Sequence, residues 1–254
     1  MEARDPAQLA EHLNESLRRL PGPAYYNVLK WIHRILEPAN YVEIGVNRGI
    51  SLVQARPPTA CIGVDPVPDI HPDVVKQVAA ARIFALTSDD FFARHDVEDL
   101  LGGPLALAFI DGLHLFEQVL RDFVNLERYS AVDTVILLHD CLPLDDATAN
   151  RDRTTDFYCG DVWKAALALR RRRPELEMVT VRTAPTGLCI VRGLDRDNRG
   201  LEAELPEIVA SYTDLDFDYY EAHRTEMPEE IANEEQAVNC LLYTSPSPRD
   251  RQKS

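Results

Sequence analysis

Residues Tyr41–Ile50 read Y-V-E-I-G-V-N-R-G-I, and this stretch limits the possible folds more than any other part of the chain. Tyr41, Val42 and Ile44 make an apolar run of strand character, too short for a helix of its own. Gly45 and Gly49 follow, four residues apart. A glycine at a strand end lets the backbone turn tightly and approach a ligand closely, because no Cβ intrudes. Glu43 brings a carboxylate beside that turn. The pattern is E-x-G-x-x-x-G, neither G-x-G-x-x-G nor G-x-x-x-x-G-K, and it has no lysine to hold a phosphate. A nucleoside triphosphate is therefore disfavoured, and a ligand with a cationic or hydroxyl-rich portion suits the acid.

Further apolar runs predict strands at about 40–45, 60–65, 82–86, 105–111, 133–139, 176–182 and 187–192. Helical spacing predicts helices at about 49–55, 72–80, 90–100, 115–128 and 160–173. Alternating strands and helices, with strands apolar on both faces, indicate an α/β, doubly wound parallel sheet. Only Thr183–Thr186 separate the last two strands, so these form a hairpin and the final strand is antiparallel. Ahead of the sheet, Leu9, Leu13, Leu17 and Leu20 recur at helical spacing, and Pro21-Gly22-Pro23 ends that helix. A second amphipathic stretch runs from Tyr25 to Leu36. Residues 1–39 are thus expected to form an N-terminal helical lid and 40–194 the main domain. The acidic segment 195–239 is expected to add loop and helix at one edge. The stretch Cys240–Asp250 reads C-L-L-Y-T-S-P-S-P-R-D, like a translated sequencing adapter, so 240–254 are expected to be foreign to the fold.

The formal net charge of −15 disfavours nucleic acid and anionic membranes as partners. The apolar runs are too short to span a bilayer. The five cysteines show no C-x-x-C spacing, which suits reduced thiols and a cytoplasmic setting over disulfides or zinc. Homo-oligomerisation is left open.

In open α/β sheets ligands bind beyond the carboxyl ends of the strands, near the point where strand order reverses. The residues that end the predicted strands are therefore the candidate site. The first strand supplies Glu43, Gly45, Asn47 and Gly49. The second ends in Asp65, placed to accept both hydroxyls of a ribose. The third runs into Thr87-Ser88-Asp89-Asp90, a helix N-cap able to bond an adenine amine. The fourth ends at Asp111, followed by Gly112, Leu113 and His114. The fifth ends His139-Asp140. Four successive strands ending in acids on one sheet edge favour a site over four unrelated caps. The bland alternatives are a helix cap for His114, a turn for His139-Asp140, core packing for Trp163 and a solvated helix end for Arg170–Arg173.

The ordered set resembles the class I S-adenosylmethionine-dependent methyltransferases. E-I-G-V-N-R-G resembles their first motif, and G-V-D at 63–65 resembles their ribose-binding acid. F-I-D-G-L-H-L-F-E-Q-V-L-R-D-F at 109–123 is similar to the I-D-G-x-H-x-Y-x-x-V-x-x-D signature of a bacterial small-molecule O-methyltransferase subgroup. The resemblance covers about residues 40–193. It implies a Rossmann-like seven-stranded sheet of order 3-2-1-4-5-7-6 with strand 7 antiparallel. It further implies that Gly45 and Gly49, with Asn47 between them, border the methionine part of the cofactor. Glu43 would lie near its amino group or organise the loop. Asp65 would take the ribose, Ser88 and Asp89 would flank the adenine, and Asp111 would lie close to the sulfonium. For a hydroxyl acceptor, His114 or His139 could remove the proton. Antibiotic-sugar O-methyltransferases of similar motif order hold magnesium with an acid after strand 4 and an acid pair after strand 5. The matching residues are Asp111, His139 and Asp140. Histidine replaces the first acid of that pair, which shifts preference from magnesium toward softer ions. Leu113 stands where an acid acts as base in those relatives. The expectation is a methyltransferase acting on a small-molecule hydroxyl. The competing readings are a non-catalytic binding or scaffold protein of the same fold, and an NAD-dependent oxidoreductase, which the missing G-x-G-x-x-G disfavours.

Overall fold

The computed structural model describes residues 5–70, 72 and 81–243. Eight strands form one sheet: β1 Asn40–Ile44, β2 Ala60–Val64, β3 Ala81–Phe84, β4 Leu105–Ile110, β5 Ser130–His139, β6 Glu177–Val181, β7 Leu188–Arg192 and β8 Glu229–Ile231. Their order is β3-β2-β1-β4-β5-β7-β6-β8. Strands β1–β5 pair in parallel, while β7 runs antiparallel to both β5 and β6. The order 3-2-1-4-5-7-6 and the antiparallel strand are those the sequence implies. The eighth strand is an addition. It pairs in parallel with β6 inside the segment expected to be loop and helix, with Val179 opposite Glu229.

The helices are α1 Pro6–Arg19, α2 Tyr25–Leu36, α3 Ser88–Arg94, α4 Val97–Leu101, α5 Phe116–Glu127, α6 Trp163–Arg172, α7 Gly200–Tyr212, α8 Phe217–Ala222 and α9 Glu235–Tyr243. Successive strand residues face opposite sides of a sheet, and β1 shows the division. Val42 and Ile44 join the core beneath α5, α6 and α7, where Trp163 is buried as its apolar helical face predicts. Tyr41 joins Leu107, Phe109 and Leu137 beneath α2 and α9.

Local chemistry redraws several expected boundaries. The helix expected at 49–55 is only a 3-10 turn, Leu52–Gln54. Pro57 and Pro58 follow at once, and a residue before proline is steered out of the α region. The helix expected at 90–100 is two. His95 is extended, and the Asp96 side chain accepts from the backbone of Asp99, capping a new helix. The Thr87 hydroxyl caps α3 by accepting from Asp90 N. The helix expected at 72–80 lies outside the described residues, save its first. Arg173 is not solvated. It is 3% exposed and makes a two-pronged ion pair with buried Glu127, at 2.8 and 2.9 Å. Helix α9 includes Cys240–Tyr243 as its last turn. Leu242 is buried, Arg192 donates to the Leu241 carbonyl, and the Tyr243 hydroxyl donates to Ile35 O at 3.3 Å. Residues 244–254 of the expected foreign tail lie outside the described residues.

Candidate active site

A cavity of about 940 Å³ opens at the carboxyl ends of β1, β2, β4 and β5, where the strand order reverses. Of the residues picked out from the sequence, Gly45, Asn47, Asp65, Ser88, Asp89, Asp111, His114, His139 and Asp140 line it. Glu43 and Gly49 do not.

Gly45 is required where it stands. Its φ is 89°, and an added Cβ would lie 2.0 Å from the Asp111 carbonyl oxygen. Its N–H donates to Val64 O, while Asp111 N–H donates to Ile44 O, so the ends of β2, β1 and β4 are tied together at this residue. The Asp65 carboxylate accepts from Asn47 N at 2.7 Å and from Val67 N at 2.8 Å, which fixes the loop after β1 against the end of β2. On the far side of the cavity, Gln118 Nε2 of α5 donates to Ser88 Oγ, Asp89 Oδ1 and Asp122 Oδ1. Burial raises the Asp122 carboxyl to about 7, against the hydrogen bonds from Ser88 and Gln118.

Glu43 sits on the α2 side of the sheet, fully buried. It accepts from Tyr41 Oη at 2.7 Å and from Ser51 Oγ at 2.6 Å. Burial raises its carboxyl to about 8; the two hydroxyls work in the opposite direction, and Asp111 and Asp65 add to the rise. Through Ser51 its side chain is bonded to the segment that follows the first strand's turn.

The centre of the site is a four-member cluster. His139 Nδ1 lies 3.1 Å from Asp111 Oδ1 and 3.4 Å from Asp140 Oδ1. His114 Nδ1 lies 3.0 Å from Asp140 Oδ2, without the alignment of a hydrogen bond, and His114 Nε2 lies 3.5 Å from Asp111 Oδ1. Burial alone would lower both imidazoles. The two carboxylates outweigh it, raising His114 and holding His139 well above its ordinary range. Burial would raise Asp140, but the facing histidines hold it well below the usual carboxylate range. His114 and Asp140 both adopt positive φ, 60° and 62°. Non-glycine residues hold that conformation only where the surroundings impose it, and such positions gather at functional sites. Donor atoms of Asp111, His139 and Asp140 all lie within 4.8 Å of one another, and this is the grouping among the described residues suited to a metal ion. Two carboxylates and an imidazole, with the unaligned His114 Nδ1 beside them, fit a divalent cation.

Sequence reasoning missed the residues that enclose this cluster. Tyr25, at the start of α2, lays its ring 4.1 Å from His139 and anchors its N–H on Ala184 O. The Thr186 hydroxyl, from the turn before β7, donates to Asp140. Tyr158 stacks on His114 with the rings 7° from parallel. Asp161 is fully buried and accepts from Phe116 N, so it, and not His114, caps α5. The same Asp161 pairs with Arg151 at 2.6 Å and Lys164 at 3.2 Å. None of these carries a spacing signal, because each arrives from a loop or helix distant in the chain.

Residues 42–141 match the family model described as a methyltransferase domain. No curated protein matches the chain at a significant level. Among solved structures, Rv0187 from MTB, crystallised with its cofactor bound, superposes with a TM-score of 0.52 at 19% identity. That likeness covers 76% of this chain and 92% of the other. TomG from Streptomyces achromogenes, an O-methyltransferase involved in tomaymycin synthesis and solved with SAM, gives 0.52 at 14% identity over 76% and 93%. An O-methyltransferase from Bacillus cereus in complex with SAH gives 0.52 at 15% identity over 75% and 92%. Among the described residues no helix is long and apolar enough to cross a membrane. Residues 42–141 are thus similar to a methyltransferase domain, and the sheet around them has the strand order that the resemblance to class I S-adenosylmethionine-dependent methyltransferases implies.

Proposed function

We propose that the chain transfers a methyl group from S-adenosylmethionine to a hydroxyl of a small molecule. The observation that carries this reading is that the Asp111–His139–Asp140–His114 cluster opens on the same cavity as Asp65 and Asp89. The cofactor supplies an electrophilic methyl on a sulfonium, already a good leaving group. The protein is left with two tasks, aligning the acceptor and lowering or removing its proton.

Asp65 receives the ribose hydroxyls, and Ser88 and Asp89, held by Gln118, flank the adenine. Gly45 and Asn47 border the methionine part, and Asp111 stands nearest the transferring methyl. His114 is the base. Asp140 faces its Nδ1 at 3.0 Å, and the Tyr158 ring lies nearly parallel to it at 5.7 Å, so both bound the imidazole within the cavity. His139 is the poorer candidate for a base, being 6% exposed and covered by Tyr25. With Asp111 and Asp140 it would instead hold a divalent cation, whose chemistry is to lower the pKa of the acceptor hydroxyl.

Calorimetric titration with S-adenosylhomocysteine tests this. The wild-type chain is expected to bind in the micromolar range, and Asp65→Ala to weaken binding at least tenfold while retaining its circular dichroism spectrum. A folded wild type that shows no binding would sink the proposal.

A further inference from the structure

We infer that the acceptor is a neutral alcohol with an apolar, ring-sized body, and that Leu13 and Leu113 grip that body while its hydroxyl faces His114. This rests on the methyl-transfer reading above.

Singly exposed leucines are ordinary, but exposed apolar side chains gathered in a concave site mark what it binds. Among the described residues seven large apolar side chains are exposed, and three of them, Leu13, Val67 and Leu113, line this one cavity. Val67 follows Asp65 and belongs to the cofactor side, where its N–H binds the Asp65 carboxylate. Leu113 is 62% exposed and adjoins His114; Leu13 is 43% exposed and comes from α1. Helix geometry puts Leu9 and Leu13 one turn apart on the same side of α1. Leu9 packs against the buried Leu144, Phe157 and Cys159, which pins the helix so that Leu13 stays at the cavity. Pro185 and the ring of Tyr158 continue this lining.

The polar groups nearby do not suit a charged or sugar-like acceptor. Arg151 is engaged by Glu117 through two contacts and by Asp161. Arg153 lies over the Tyr158 ring and donates to Asp156 O. Asp65, Asp89, Asp111 and Asp140 line the same cavity and repel an anion. A sugar laid on Leu13 and Leu113 would set hydroxyls against two side chains that offer no hydrogen bond, so the contact returns less than an apolar ring would.

The test uses the full chain saturated with S-adenosylhomocysteine and the neutral fluorescent probe N-phenyl-1-naphthylamine. The expected result is a saturable rise in fluorescence, reversed by 2-naphthol and not by methyl β-D-glucoside. Leu13→Asn and Leu113→Asn should each weaken the probe at least tenfold and leave S-adenosylhomocysteine affinity unchanged. Both positions are exposed, so neither change threatens the fold. Probe binding unaffected by both substitutions, or displacement by the glucoside, would overturn the inference. Calorimetry on the same samples separates the two levels. Cofactor-product binding without probe binding removes only the apolar acceptor. Probe binding without cofactor-product binding removes the methyl-transfer reading and the acceptor assignment with it.

Discussion

Glu43→Gln is the most informative single perturbation, because Glu43 can be read as a cofactor contact or as a buried structural acid. Its side chain is closed off beneath α2, bonded to Tyr41 and Ser51, and does not line the cavity. Its carboxyl rises from 4.5 in the unfolded chain to about 8 in the fold. The folded protein therefore binds this proton more tightly than the unfolded chain. Its contribution to stability is complete below pH 4.5 and is lost as pH rises through about 8. At about 1.4 kcal/mol for each pH unit of that gap, the loss comes to about 4–5 kcal/mol, a large part of a typical domain stability. Glutamine imitates the protonated acid, with one oxygen to accept and an amide to donate, and it does not titrate.

Urea unfolding followed by tryptophan fluorescence, run from pH 5 to pH 9, reads the effect through the transition midpoint. Every other titrating group is shared by the two proteins, so the comparison isolates residue 43. Wild type and Glu43→Gln should differ least at pH 5, and the difference should grow in favour of the glutamine by about 4 kcal/mol toward pH 9. At pH 6.5 the variant should bind S-adenosylhomocysteine as wild type does. Parallel stability curves across the whole range would refute the buried-proton argument. A tenfold loss of cofactor-product affinity would put Glu43 in contact with the ligand.

Two further substitutions probe the frame around the site. Gly45→Ala places a methyl 2.0 Å from Asp111 O at a φ of 89°, whereas Gly102→Ala, at a φ of 73°, meets nothing within 4 Å. The second should cost about 1–2 kcal/mol for the left-handed backbone alone, and the first distinctly more in a thermal melt; equal losses would refute the close-approach argument. Arg173→Met strands the Glu127 charge in the interior and should cost about 3–5 kcal/mol in urea unfolding, while Arg173→Met with Glu127→Leu should recover most of it. A double variant no more stable than the single would show that the carboxylate is not the source of the loss.

How much of this was legible follows from where each signal originates. Strands β1, β2 and β4 announce themselves because both faces of a central parallel strand are buried, which forces runs such as Leu105–Ile110. Strand β8 gives no such signal. It is three residues long with two glutamates, lies at the sheet edge, and is braced by charge through Arg182 and Arg224 on Glu230. The acids that end the strands were readable because the chain order of a doubly wound sheet already fixes which strand ends adjoin. Tyr25, Tyr158, Asp161 and Thr186 were not, since their places depend on how loops fold back. The solvated reading of Arg170–Arg173 failed at Arg173 for a related reason: a basic helix end looks the same whether water or a buried Glu127 receives it.

The division between matched and unmatched sequence carries a physical meaning of its own. The family match spans residues 42–141, and it contains Gly45, Asp65, Ser88, Asp89, Asp111, His114, His139 and Asp140. Much of what encloses the cluster lies outside that span, although Leu113 and Phe109 lie within it. Leu13 and Tyr25 come from the helices before it; Tyr158, Asp161 and Thr186 come from the loop and turn after it. The two outer pieces are bonded to each other as well as to the site. Ser16 Oγ donates to Pro185 O, Tyr25 N to Ala184 O, and Thr183 Oγ1 to Pro23 O. The N-terminal helices and the β6–β7 turn thus form one wall, set against a separately organised sheet edge. On the proposed function, a change at Leu13 alters what sits opposite the methyl donor, whereas one at Tyr25 or Thr186 also reaches His139 or Asp140. On the proposed function, the groups that do the chemistry lie in the central span, and the surroundings of the acceptor come largely from outside it, with Leu113 the exception.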